Sequence, residues 1–152
     1  MINILKTTTG DLLSCLTQNP GSLYVGRGNG SPLGNPFRAK SKDLSDIAHV
    51  VACYRNYLNF IVQGWEPFHA ASYCEMEYGA EIAEAWSNNR PSREKVIATL
   101  NMYVEVYVVQ GSLNLVCFCI DRPWSKQEQY SECHAEVIAA AVQKLAEIKY
   151  GA

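Results

Sequence analysis

Apolar and polar positions change period several times along the 152-residue chain, and each change marks an element. Ile2 to Lys6 alternates apolar and polar, the pattern of a short strand. Thr9, Gly10 and Asp11 can open a short helix that runs through Leu16, and Asn19-Pro20-Gly21 is a turn. Leu23, Tyr24 and Val25 form a short apolar strand that runs into Gly26-Arg27. Helical spacing begins at Ile47 and continues through Val50, Val51, Tyr54, Tyr57, Leu58 and Ile61, with Asp43 or Ser45 as its cap and Gly64 as its stop.

Residues 65–90 are less regular. Trp65, Pro67 and Phe68 interrupt the pattern, Met76 to Trp86 reads as another helix, and Asn88-Asn89-Arg90-Pro91 closes it. Ser92 caps a further helix with apolar positions at Val96, Ile97, Leu100, Tyr103, Val104, Tyr107 and Val108, ending at Gly111. Its β-branched content leaves a strand over 103–109 open. LNLVCFCI, residues 113–120, is a buried strand, a polar loop spans 121–132, and a closing helix runs from about Cys133 to Lys149. Its buried face is expected from Val137, Ile138, Ala141, Val142, Leu145 and Ile148.

Strands alternating with helices predict a single α/β domain over 1–152, with a small, mainly parallel sheet flanked by helices. The irregular stretch 65–91 is expected to be an inserted helical or lid region. In parallel sheets, ligands sit beyond the carboxyl ends of the strands. The loops after Arg27 and after Cys119 are expected to meet there.

Composition narrows the classes. Hydrophobic residues make up 48% and charged residues 18%, which supports a packed core and argues against a disordered tail. The formal net charge of −2 argues against broad binding to nucleic-acid backbones. A small anion held by a few local cations fits the same charge. There is no export signal and no apolar run of membrane length, so a cytoplasmic protein with reduced thiols is expected.

The stretch LYVGRGNGSPLGNPFR carries the first candidate site. Gly28, Gly30 and Gly34 leave backbone amides approachable, and positive φ at glycine lets successive amides point into one concavity. Asn29 and Asn35 can hydrogen-bond a sugar or base, with Asn35 restrained by Pro36. Arg27 and Arg38 offer forked donors that match phosphate or carboxylate. The glycine spacing matches neither a dinucleotide fingerprint nor a phosphate-binding P-loop, and an ordinary glycine-rich turn stays open.

The second site is built on Cys117, Cys119, Cys133 and His134. Three readings stand: a zinc site, although the spacings are unusual; a ligand or catalytic site at a helix N-terminus; and buried thiols packing as small hydrophobes. His134 is the strongest single candidate for touching a ligand, and Asp121 or a glutamate of the middle region would serve beside it in proton transfer. Glu75, Glu77, Glu81 and Glu84 read as a solvated face, and His49 as a solvent-facing side chain. His69 fits surface packing or an aromatic wall with Trp65 and Phe68. No motif calls for a cofactor. The apolar helical faces leave a weak homodimer as an expectation.

Taken together, Tyr24-Val25-Gly26-Arg27, Gly34-Asn35-Pro36-Phe37, the YRNYL helix, LVCFC and the Cys133-His134 helix start resemble the phage and bacterial domain-of-unknown-function family 4326. The resemblance covers roughly residues 23–145. Phe118 departs from the tryptophan common there, the loop between Cys119 and Cys133 is longer, and 65–90 looks inserted. The resemblance implies that Arg27, Gly34, Asn35, Cys119, Cys133 and His134 form one site. By analogy it implies a small Rossmann-like fold that handles nucleotides. The resulting expectation is binding of an ADP-ribose-like or cyclic nucleotide ligand, with sequestration of a host immune signal as a use in a phage. The alternatives are an enzyme acting at an N-glycosidic or phosphoester bond, and a structural zinc-containing interaction domain.

Overall fold

A computed structural model describes residues 2–6, 12–18, 21–26, 31–41, 43–117 and 134–151, with the backbone alone for Lys6, Leu12, Leu44 and Cys117. Five short strands and six helices are interspersed among these residues. They are β1 (Ile2–Lys6), α1 (Leu12–Gln18), β2 (Leu23–Tyr24), β3 (Phe37–Arg38), α2 (Leu44–Val62), α3 (Pro67–Tyr78), β4 (Glu81–Ile82), α4 (Glu84–Asn88), α5 (Arg93–Gln110), β5 (Leu113–Cys117) and α6 (His134–Tyr150).

The main sheet has the order β1-β5-β2, and both pairings are parallel. Ile2 faces Leu113 and Lys6 faces Cys117 in one ladder, while Leu23 and Tyr24 face Leu115 and Val116 in the other. The Val25 N–H extends that second ladder by donating to the Val116 carbonyl at 2.8 Å. β5 is central because it is paired on both sides, which suits its mostly apolar sequence, Asn114 being the exception. All three strands therefore end on one side. β3 and β4 form a separate antiparallel pair, with Phe37 opposite Ile82 and Arg38 opposite Glu81. The expected α/β class with a small, mainly parallel sheet is the one observed.

The helices begin and stop where local chemistry dictates. The Asp43 carboxylate caps α2 by accepting from the Ser45 N–H at 3.0 Å. The Ser92 hydroxyl caps α5 by accepting from the Lys95 N–H at 3.2 Å. Gly111, at φ 73°, ends α5 in the left-handed region. With both ends fixed, Val96, Leu100, Tyr103 and Val104 lie buried along one face of a helix, and the alternative strand over 103–109 does not form. Arg93 ties two elements: its Nε donates to the Ile61 carbonyl at 2.7 Å, at the C-terminal end of α2 where a cation is favoured.

Three expectations need correcting. Pro67 and Phe68 do not interrupt a helix; they start one, because proline at the first helical position gives up an N–H that would have no partner. The helix expected over 76–86 is divided instead, since Gly79 at φ 69° ends α3 before β4 and α4 follow. Ile148 is 71% exposed, and the buried face of α6 runs through His134, Ala135, Val137, Ile138, Val142 and Ala146.

The core gathers around α2. Tyr54, Tyr57 and Ile61 pack with Leu33, Phe37, Leu100, Leu115 and Ile138. Tyr57 meets Phe37 and Trp86 edge-on, each with ring centroids 6.1 Å apart. Ala70, Ala71, Cys74, Ala80, Ala83 and Trp86 place the 65–91 stretch within this same core. At the far ends of α5 and α6, Lys149 and Tyr150 both donate to Glu105, and these bonds hold its carboxyl below the usual range.

Candidate functional site at the carboxyl ends of the sheet

β2 and β5 run parallel, so the chain leaves both at the same side of the sheet. Gly26 follows β2 there, Cys117 closes β5, and His134 opens α6. His134 ties the last of these to the first. Its Nε2 lies 2.6 Å from the Val25 carbonyl oxygen. A carbonyl only accepts, so Nε2 carries the proton and donates it. The ring is 3% exposed and stands edge-on to Tyr54, with centroids 5.1 Å apart. The N-terminus of a 17-residue helix is thereby fixed to the end of the parallel sheet.

The Tyr-Val-Gly run has a local reason. Tyr24 and Gly26 are two residues apart, and the Tyr24 ring folds back so that its hydroxyl occupies the space where a Cβ at position 26 would stand. Glycine at 26 serves packing and not a left-handed backbone: a side chain there would have to displace the Tyr24 ring.

The Gly-Asn-Pro-Phe run is also accounted for. Asn35 is 6% exposed. Its Oδ1 accepts from the Phe37 N–H at 2.9 Å, closing a turn across Pro36, and its Nδ2 donates to the Val50 carbonyl at 3.4 Å. The Pro36 carbonyl accepts from the Ala83 N–H at 2.7 Å, and Leu33 offers its carbonyl to the Tyr54 hydroxyl at 2.7 Å. Asn35 thus closes the turn with its amide oxygen and ties the segment to α2 with its amide nitrogen. It shapes the wall next to Gly34 and is not displayed to solvent.

The remaining candidates separate. Arg38 lies on β3, is exposed, and pairs with Glu81 at 3.4 Å. Gly34 is buried and lines a cavity of about 270 Å³ shared with Trp86, Asn89, Arg90 and Lys95. Arg27, Gly28, Asn29, Gly30, Cys119, Asp121 and Cys133 lie outside the described residues. His49 is exposed, as expected, with its Nε2 3.8 Å from the Cys53 sulfur. His69 is exposed and sits beside Phe68 with ring centroids 6.1 Å apart. Glu75, Glu77, Glu81 and Glu84 are exposed but distributed over α3, β4 and α4, not one helix face.

Burial pushes up the Cys53 thiol, and it pushes the Cys74 thiol up to about 12. Neither is an activated nucleophile. Among the described residues, no group of three or more His, Cys, Asp or Glu side chains is placed to hold a metal ion, and no helix is long and apolar enough to cross a membrane.

Sequence reasoning overlooked Arg90, Ser92 and Lys95 as neighbours of the glycine-rich segment. They are about 60 residues away in sequence, and their proximity to Ser31 and Gly34 arises from packing of α4 and α5.

No curated protein and no solved structure matches the chain. The model of one family does match, over residues 13–144, and this span contains β2, β5, His134 and both glycine-bearing motifs. The chain belongs to the family described as a domain of unknown function (DUF4326).

Proposed function

We propose that the protein binds a small phosphorylated nucleotide-derived ligand, ADP-ribose-like or a cyclic nucleotide, beyond the carboxyl ends of its parallel sheet. The observation that carries this reading is the His134–Val25 bond. It sets the N-terminus of α6 against the end of β2, from which the Arg27–Gly30 segment departs. A helix N-terminus favours negative charge, and open α/β sheets bind ligands at this edge. Arg27 supplies a guanidinium for phosphate, and Gly28 and Gly30 leave amides approachable. In a phage, such binding would sequester a signalling nucleotide.

Binding is favoured over turnover by the state of His134. Its Nε2 proton is committed to a backbone carbonyl and the ring is buried, an arrangement that positions a helix and does not shuttle protons.

Thermal shift followed by calorimetry against ADP-ribose, cyclic mononucleotides and cyclic dinucleotides tests the reading. The expected result is saturable binding by one ligand class, weakened at least ~10-fold in Arg27→Ala through loss of a charge-assisted contact. Absence of binding across the panel, or binding indifferent to Arg27, overturns it. Product formation on prolonged incubation would favour the enzymatic alternative.

A further inference from the structure

The cavity between residues 31–34 and the junction of α4 with α5 has an unusual charge balance. Among the described residues, Arg90 and Lys95 are its charged lining residues and no carboxylate lines it, although the chain as a whole carries a net charge of −2. Neither cation forms an ion pair among the described residues. Arg90 also packs on an aromatic ring, its guanidinium carbon 4.4 Å from the centre of the Phe68 ring. Such a contact restrains the side chain while leaving its N–H groups available in the ring-parallel plane.

Lys95 belongs to the first turn of α5, whose N-terminus adds positive potential. The backbone donors of that turn are partly used. Ser92 takes the Lys95 N–H, and the Glu66 carboxylate takes the Arg93 N–H at 3.3 Å. An anion in the cavity would therefore be held by side chains. The Ser31 hydroxyl adds to them: its oxygen accepts from the Leu33 N–H at 3.4 Å, which leaves its own hydrogen to donate. Trp86, 4% exposed, supplies an apolar wall.

The volume of about 270 Å³ sets the size of the occupant. It falls just below the ~300–1,000 Å³ of sites for drug-sized molecules. A phosphorylated pentose suits it, whereas a dinucleotide would extend beyond it. We propose that this cavity is a binding site for a small sugar phosphate, with Arg90 and Lys95 on the phosphate and Trp86 against the sugar. The proposal stands apart from the sheet-end reading, because none of Gly26, Val25 or His134 lines the cavity.

Titration with ribose 5-phosphate, followed by backbone amide shifts, tests it, with ribose as the uncharged control. The phosphate ester is expected to move the amides of Ser31, Gly34, Ser92 and Lys95 saturably, and ribose to leave them in place. Arg90→Ala and Lys95→Ala should each weaken binding about tenfold. Both positions are exposed, so circular dichroism should show an unchanged fold, and Lys144→Ala on the exposed side of α6 should bind as the parent does. No saturable shift at millimolar ribose 5-phosphate, or affinity unchanged in both variants, overturns the proposal. Shifts confined to Gly26 and His134 would also overturn it and would instead place the ligand at the sheet end.

Discussion

The imidazole of His134 donates from Nε2 to the carbonyl of Val25 across 2.6 Å, joining residues 109 positions apart in the chain. One bond links the edge strand of the parallel sheet to the first turn of the last helix. Removing it leaves a buried carbonyl without its donor and a void beside Tyr54. His134→Ala is expected to lower stability by about 2–4 kcal/mol, combining an unsatisfied acceptor with a cavity. Urea denaturation of the variant checks this; a loss below ~1 kcal/mol would show that the bond is not a structural tie.

Asn35 makes a separable prediction. Its carbonyl oxygen closes the turn on the Phe37 N–H, so Asn35→Ala leaves that buried donor unpaired and should cost about 1–3 kcal/mol. A thermal melt measures the loss. Retained stability in Asn35→Ala, together with lost ligand affinity, would instead return Asn35 to the role of a direct ligand contact.

Thiol chemistry offers a third test. Burial raises the Cys53 thiol above its ordinary range and takes Cys74 to about 12, so neither should react as a thiolate near pH 8 while the protein is folded. Peptide mapping after iodoacetamide treatment is expected to find both unmodified in buffer and both modified in urea. Rapid labelling of Cys74 in buffer would show that α3 opens away from α2.

The same burial predicts an alkaline weakening of the fold. Desolvation raises Tyr103 from 10.0 to about 12, Cys74 from 9.0 to about 12, and Tyr57 further still. These groups are neutral when protonated, and their folded values exceed the unfolded ones. Their stabilising contribution is therefore complete below pH ~9 and is lost as pH rises through ~12. Denaturant midpoints should fall progressively across that window. A midpoint unchanged between pH 8 and pH 11.5 would contradict the burial of these side chains.

Much of this architecture can be read from residue order. Alternation at Ile2–Lys6 and the apolar run read over 113–120, described as a strand as far as Cys117, give two strands of the sheet, and the spacing from Ile47 to Ile61 gives the central helix. Asp43, Ser92 and Gly111 mark helix ends because each satisfies a specific backbone requirement. The two-residue strands β3 and β4 carry no period and are not readable. Pro67 has two meanings, interrupting a helix within its body and starting one at its first turn, and periodicity alone did not separate them.

The candidate site divides in the same way. Sheet topology brings the ends of β2 and β5 together, and that convergence is legible from strand and helix alternation. The structural use of Asn35 had a signal that went unread: an Asn two residues before an apolar residue, with proline between, is the pattern of a side chain bonding the backbone two positions on. The cationic cavity had none, since Gly34 and Lys95 meet only through the packing of whole elements. Arg93, which binds the end of α2 from 32 residues away, was hidden for the same reason.

The central claim is that a nucleotide-type ligand occupies the end of the parallel sheet. A crystal structure of the protein purified, without exchange, from a nucleotide-rich lysate measures this most directly. The expected result is ligand density beside residues 27–30 and against the N-terminus of α6 near His134, with a phosphate facing Arg27. Density lying wholly elsewhere, or a sheet end that stays empty after soaking with ADP-ribose and cyclic nucleotides, would contradict the claim.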